Sequence, residues 1–296
     1  MAHYGVVETG GTKMVCAIVG GPDDVRDEVR FPTTTPQENI PQIIEYLRTH
    51  HAQTPLTAVG IGSFGPIVLD RTDPNYGCVA PTTKPGWSGA PVVAPIQAAL
   101  GIPVGFDLDV TTAGLGELEW GAGVGLEHIV YYTIGTGIGA GVISRGQPLA
   151  CMAHPEAGHQ RISRHPQDEF PGFCVFHDDC LEGLACGPSI EKRWSVKAHL
   201  LPPDHQAWVF EADYVAQAVM NTILFVSPQR IILGGGVMEQ LHLFPMIRRR
   251  VIERLNGYIN LDAITKRIDE YIVPPALGNR AGMLGALVLA MRASGQ

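Results

Sequence analysis

Two glycine-rich turns constrain this chain more than anything else in it, because each sits between two apolar runs of strand length. The first reads Glu8-Thr9-Gly10-Gly11-Thr12-Lys13, between Tyr4-Gly5-Val6-Val7 and Met14-Val15-Cys16-Ala17-Ile18-Val19. The second reads Gly135-Thr136-Gly137-Ile138-Gly139, between Val130-Tyr131-Tyr132-Thr133-Ile134 and Ala140-Gly141-Val142-Ile143. Glycine at such a turn leaves backbone N–H groups uncovered and threonine adds a hydroxyl, so phosphate oxygens can approach closely. The same device used twice, about one domain apart, predicts two halves that hold one polyphosphate. That polyphosphate is expected to be ATP.

Other phosphate motifs fit less well. No Gly-x4-Gly-Lys-Ser/Thr occurs, which excludes a P-loop. Gly135-Thr136-Gly137-Ile138-Gly139-Ala140 matches the dinucleotide fingerprint, but that fingerprint must open a helix. Here Gly141-Val142-Ile143 and then Arg145-Gly146-Gln147 follow, which read as a strand and a turn, so a nicotinamide cofactor is set aside.

The order of elements also suggests duplication. Residues 4–8, 13–19 and 25–31 read as strands, followed by a helix from Pro36 to His51 whose Ile40, Ile43, Ile44 and Leu47 form one apolar stripe. A strand at 58–62, an ordered loop at 72–90, a helix from Pro91 to Leu100, a strand at 104–106 and a helix from Asp109 to Trp120 complete the first half. The second half is read as strands at 128–134 and 138–143, an irregular stretch from Ala150 to Cys180, and helices at 184–196 and 211–226. A strand at 230–233, Gly234-Gly235-Gly236, a helix at 242–255, a strand at 271–273 and a helix from Arg280 to Arg292 follow. A duplicated α/β domain with a cleft between the copies accounts for this order. The boundaries predicted are 1–113, completed by a C-terminal helix at 281–296, and 114–280. The 296 residues have room for two such domains.

Composition narrows the partners. The net charge is −8 with no basic stripe, so nucleic acid is not expected. Met1-Ala2-His3-Tyr4 runs straight into a strand without the regions of a signal peptide, and no apolar run reaches spanning length. A cytoplasmic protein with no membrane partner is the expectation. Its six scattered cysteines then read as thiols or metal ligands rather than disulfides.

Asp109 follows the strand at 104–106 and opens the next helix, which places a carboxylate at the carboxyl end of a strand where α/β sheets bind ligands. It could be an ordinary N-cap, but a kinase needs a carboxylate to take the proton of the attacking hydroxyl. Asp107 is the neighbouring competitor, and Asp109 is preferred. His159, Cys174, His177 and Cys180 have the spacing His-x14-Cys-x2-His-x2-Cys, which suits a closed, structural tetrahedral Zn²⁺ site. His154 and His165 are alternative ligands. Glu156 and Glu182 flank these ligands and are candidates to accept hydrogen bonds from sugar hydroxyls, with Trp87 a candidate wall for a sugar face.

Glu8-Thr9-Gly10-Gly11-Thr12-Lys13, Asp109, the Gly135–Gly139 turn, Pro155-Glu156-Ala157-Gly158-His159 and the Cys174–Glu182 segment come in an order that resembles the ROK (repressor, open reading frame, kinase) family of sugar kinases, and most of all its bacterial fructokinase branch. The resemblance runs on through Leu233-Gly234-Gly235-Gly236 and Leu277-Gly278-Asn279-Arg280-Ala281-Gly282. It implies two actin-like, RNase H-type domains flanking a cleft, ATP with Mg²⁺, an Asp base, a structural zinc and a homodimer. On that footing Mg²⁺ lies near Glu8, the two Gly-Thr turns (Gly10, Gly11, Thr12, Gly135, Thr136, Gly137, Gly139) hold the phosphates with Lys13 beside them, and Gly234, Gly235 and Gly236 admit adenosine. His159 serves sugar as well as metal. Three departures from the usual family pattern stand out: Glu8 for Asp, Leu108 for the Asn before the catalytic Asp, and His177 for a Cys. Glu8 and His177 agree with the fructokinase branch, and Leu108 argues against glucose. The expected reaction is phosphorylation of D-fructose at the 6-hydroxyl. Other hexoses (mannose, glucose, N-acetylated sugars), a non-catalytic sugar sensor and an acetate-type kinase are the rival readings.

Overall fold

The computed structural model describes residues 2–149 and 151–296. Met1 and Ala150, which begin the predicted first domain and the predicted irregular stretch, lie outside the described residues. Contacts divide the chain into two compact units. The first comprises residues up to Gly125, Ile143–His154 and Leu277–Gln296, and the second comprises Leu126–Val142 and Pro155–Ala276.

The first unit is built on the sheet order β3-β2-β1-β4-β5. β1 (Tyr4–Thr9), β2 (Lys13–Gly21) and β3 (Asp24–Pro32) pair antiparallel, while β4 (Ala58–Ser63) joins β1 in parallel and β5 (Val104–Leu108) joins β4 in parallel. The central strands are almost wholly buried. Edge strand β3 carries the exposed charges Asp24, Arg26, Asp27, Glu28 and Arg30, which discourage pairing with another chain. Helix α1 (Pro36–Gln53) starts with proline, whose missing N–H is no loss in the first turn, and buries Ile40, Ile43 and Leu47. Helices α2 (Val93–Leu100) and α3 (Asp109–Trp120) follow.

The second sheet has the order β10-β9-β6-β7-β8. Its members are β6 (Ile129–Ile134), β7 (Ile138–Ser144), β8 (Gln147–Pro148), β9 (Arg230–Gly234) and β10 (Ile272–Val273). Read from β8, this is the same order as the first sheet read from β3, so the duplication suggested by the sequence is visible in the strand topology. The predicted helix at 184–196 is two helices, α4 (Leu181–Ala185) and α5 (Gly187–Trp194). Cys186 between them is extended and Pro188 begins a new helix, because proline lacks the N–H that a continuous helix would need. Helix α6 (Ala207–Phe225) runs through the core, burying Trp208, Phe210, Tyr214 and Val219, and α7 (Leu243–Leu255) covers it. Two short helices, α8 (Asp262–Thr265) and α9 (Ile268–Tyr271), were not foreseen.

The last helix, α10 (Ala281–Ala293), belongs to the first unit and packs against α3, β4 and β5. The approach leaves no room for side chains. A Cβ on Gly285 would stand 1.6 Å from the Thr112 carbonyl oxygen, and one on Gly60 would stand 1.8 Å from that of Ala286. Such backbone-on-backbone packing keeps the whole of α3 in the first unit. Residues 114–125 and 143–154 therefore group with that unit, whereas the sequence reading assigned them to the second. Among the described residues no helix is long and apolar enough to cross a membrane.

Candidate active site

In the first unit, parallel registry of β1, β4 and β5 aligns Thr9, Ser63 and Leu108 across the carboxyl ends of the strands. The row is tied by hydrogen bonds: Thr9 Oγ1 donates to Ser63 Oγ at 2.8 Å, and Ser63 Oγ donates to the Phe64 carbonyl at 3.0 Å. Asp109 is the next residue after this row and the first of α3. It is half-buried, and its Oδ1 accepts the Val110 N–H at 2.7 Å. Asp107 lies one row back, 8% exposed, with its carboxylate on the Leu108 N–H. Burial lifts its pKa to about 6. Of the two acids, Asp109 is the one presented beyond the strand ends.

Glu8 shares the earlier row with Gly62 and Asp107. Its carboxylate occupies space left by Gly282 of α10, where a Cβ would come within 1.9 Å of Oε1. Burial first, and the nearby Asp109 charge second, raise its pKa to about 7, against the opposing pull of Lys13 and Arg30. The Glu8 carboxylate offers hard oxygens that suit a small divalent cation.

The first glycine turn is closed by the Gly10 N–H donating to the Lys13 carbonyl at 3.0 Å. It is braced by Thr33, whose Oγ1 donates to the Gly10 carbonyl at 2.7 Å and whose N–H donates to the Thr12 carbonyl at 3.1 Å. Gly11, Thr12 and Lys13 are exposed. The Lys84 ammonium, which sequence reasoning missed, donates to the Gly11 carbonyl and lies 4.7 Å above the Phe64 ring. The sequence pointed to this loop, but through Trp87, and that assignment is corrected. Trp87 is fully buried, its Nε1 donates to the Thr34 carbonyl at 2.8 Å, and its ring meets Phe64 edge-on at 5.1 Å. A ring so enclosed cannot stack on a sugar and instead anchors the loop that carries Lys84.

In the second unit the Gly135 N–H donates to the Gly137 carbonyl at 2.9 Å, and the Gly187 N–H at the start of α5 donates to the Gly135 carbonyl at 2.7 Å. The Val237 N–H donates to the Ile134 carbonyl at 3.0 Å, which brings Gly234–Gly236 beside the turn. Gly235 has φ +89°, a conformation that favours glycine, and its Cβ would strike the Ile134 backbone at 2.5 Å. Gly158 packs on the Ile138 carbonyl from the other side. Glu182 accepts the Ile138 N–H at 2.8 Å, so one of its carboxylate oxygens serves the glycine turn. Glu156 is exposed. Thus the 135–139 turn, Gly234–Gly236, the Pro155–His159 run and α4 converge within one unit.

His159, Cys174, His177 and Cys180 also converge, with all four ligand atoms within 4.8 Å of one another. Nδ1 of His159 lies 3.6 Å from the sulfur of Cys174 and 3.6 Å from that of Cys180, and Nδ1 of His177 lies 3.8 Å from Cys174. A zinc tetrahedron with bonds of about 2.3 Å to sulfur and about 2.05 Å to nitrogen has S···N edges of about 3.6 Å, so the four residues fit that ion. Cys174 and Asp178 exchange backbone hydrogen bonds that close the knuckle between ligands. The alternative ligands lie elsewhere: His154 accepts the Ile67 N–H at 3.0 Å, and His165 packs against Phe210. A buried network absent from the sequence reading holds the preceding loop. Asp168 meets Arg193 at 2.9 Å and accepts the Tyr214 hydroxyl at 2.5 Å.

The sequence pattern of the ROK family matches residues 4–293. A protein of Bacillus subtilis (strain 168) is 46% identical over 289 residues, covering 98% of this chain and 95% of its own. The fructokinase of Pediococcus pentosaceus is 43% identical over 289 residues, with 98% of each chain covered. Among solved structures, the ROK family glucokinase of Streptomyces griseus in complex with glucose and AMPPNP superposes with a TM-score of 0.76 at 20% identity, covering 98% of this chain and 100% of that one. At that identity the likeness shows the fold, an α/β architecture of two actin-like domains.

Proposed function

The chain belongs to the ROK family, and from that membership we propose that it is an ATP-dependent fructokinase that phosphorylates the 6-hydroxyl of D-fructose. One observation carries the mechanism. Asp109 stands one residue beyond the aligned ends of β1, β4 and β5, accessible and next to Glu8, while Asp107 is withdrawn. The Asp109 carboxylate takes the proton of the 6-hydroxyl as its oxygen attacks the γ-phosphorus of ATP, and ADP leaves. Within the first unit the exposed Gly11–Thr12 segment of the first turn suits a phosphate; within the second, exposed Thr136 of the other turn does, and Gly234–Gly236 beside it lets adenosine approach closely.

Glu8 would hold Mg²⁺, which would neutralise phosphate charge as it develops, leaving Asp109 free to act as the base. His159, Cys174, His177 and Cys180 would hold a structural Zn²⁺, which fixes the knuckle and so the segments bearing Glu156 and Glu182. Thiolate ligands of this kind agree with a reducing, cytoplasmic setting.

Leu108 supports fructose over glucose. It stands in the strand-end row, 6% exposed, and offers no hydrogen bond where the family pattern has an Asn. The test is ADP release over a panel of hexoses. Fructose should give the highest kcat/KM. A clear preference for another hexose would overturn the substrate, and no turnover with any hexose would overturn the kinase.

A further inference from the structure

Lys84 is a lysine held in place with no carboxylate among the described residues to explain it. Its loop is rigid: the Trp87 N–H donates to the Lys84 carbonyl at 3.2 Å, Ser88 Oγ accepts the Thr82 N–H at 3.0 Å, and Trp87 is locked between Phe64 and Thr34. From this base the side chain crosses to the first glycine turn, with its ammonium on the Gly11 carbonyl and 4.7 Å above the Phe64 ring. Nζ comes 3.5 Å from where a Gly11 Cβ would sit. Partial burial draws its pKa below the usual lysine value, with no charged neighbour among the described residues contributing. Ordering a long side chain costs rotamer entropy, and one neutral carbonyl with one aromatic face offers no opposite charge to an ammonium partly removed from water. Two of its three N–H donors remain for a ligand. The turn it borders is the one whose exposed backbone suits phosphate.

We propose that Lys84 binds the phosphoryl group that is transferred, contacting the γ-phosphate of ATP and, after transfer, the phosphate of the sugar product. The assignment rests on the kinase reading above. It makes Lys84 a charge-assisted, substrate-touching residue, worth more once the site is dry and the phosphoryl charge spreads in the transition state.

Binding calorimetry on Lys84→Met, which keeps an unbranched side chain and removes the ammonium, separates the possibilities. Affinity for AMPPNP should fall tenfold or more while affinity for ADP changes less than twofold. Affinity for fructose 6-phosphate should fall likewise while that for fructose holds, and Lys84→Arg should recover most of the loss. Equal losses for AMPPNP and ADP would mean that Lys84 only props the turn, and unchanged binding of all four ligands would mean that it only packs on Phe64; either result overturns the proposal. If the wild-type chain turns over no hexose yet Lys84→Met still separates AMPPNP from ADP, the kinase reading falls and Lys84 stands as a contact to a nucleotide's γ-phosphate alone.

Discussion

Glu182 accepts the backbone N–H of Ile138 at 2.8 Å and thereby ties the metal knuckle to the second glycine turn. Glu182 lies two residues beyond Cys180, whose sulfur caps α4 by accepting the Gly183 N–H at 3.4 Å. Ligands and turn are therefore mechanically continuous. Removing zinc, by chelation or by Cys174→Ser, should raise KM for ATP as well as for fructose. The buried Asp168–Arg193–Tyr214 contacts should keep the loop ordered around residue 168, so that protease sensitivity appears near 172–180. Elemental analysis should find one zinc per wild-type chain. Cys78→Ser should leave all of this unchanged. A metal-free enzyme with unaltered KM for ATP would show that the coupling through Glu182 is idle.

Asp109→Asn keeps the shape of the side chain and removes the base. Turnover should fall by about two to four orders of magnitude, with sugar and nucleotide affinity nearly unchanged. Stopped-flow or coupled kinetics together with calorimetry check this. Retention of a tenth of the wild-type rate would exclude Asp109 as the base.

Leu108 should set the sugar preference. It packs beside Gly65, where a Cβ would come 2.6 Å from Leu108 Cδ1 and 3.3 Å from the His154 ring. The bulk of Leu108 is therefore accommodated only because residue 65 is glycine. One well-made polar contact is commonly worth about 1–3 kcal/mol, so wild type should favour fructose over glucose tenfold or more in kcat/KM. Leu108→Asn should narrow that ratio by raising kcat/KM for glucose. An unchanged ratio would remove Leu108 from the specificity determinants.

The features legible in the sequence were those written locally. The two glycine turns, the strand-end position of Asp109 and the spacing of four metal ligands are each contained in short segments; strand alternation, with its period of two, would put Asp107 and Asp109 on one face, and what separates them is that β5 ends at Leu108 and Asp109 opens α3. The strand duplication was legible because hairpin and helix–strand signals recur in one order. What was hidden depends on partners distant in sequence. Trp87 looked like a loop aromatic, and nothing local said that Thr34 and Phe64 would enclose it. Lys84 acquires meaning only beside Gly11, and Asp168 only beside Arg193 and Tyr214. The break between α4 and α5 was marked by Gly187-Pro188, a local signal outweighed by the apolar pattern around it.

Glu211 should make the second unit sensitive to alkaline conditions. It is fully buried on α6, and no described residue hydrogen-bonds either carboxyl oxygen. Burial pushes its pKa from 4.5 up to about 8, with Arg193 pulling the other way. Because the folded value lies above the unfolded one, the native chain holds more proton between pH 4.5 and about 8, and stability contributed by the neutral form is lost as pH rises through that window. Glu211→Gln cannot ionise and should escape this loss. Differential scanning calorimetry should find the variant's Tm advantage growing from pH 5 to pH 8 and reaching several degrees, since about 1 kcal/mol shifts Tm by roughly 2–4 °C in domains of this size. Parallel Tm curves for the two proteins across that range would mean that Glu211 meets a proton donor or water that keeps its pKa near the ordinary carboxylate value.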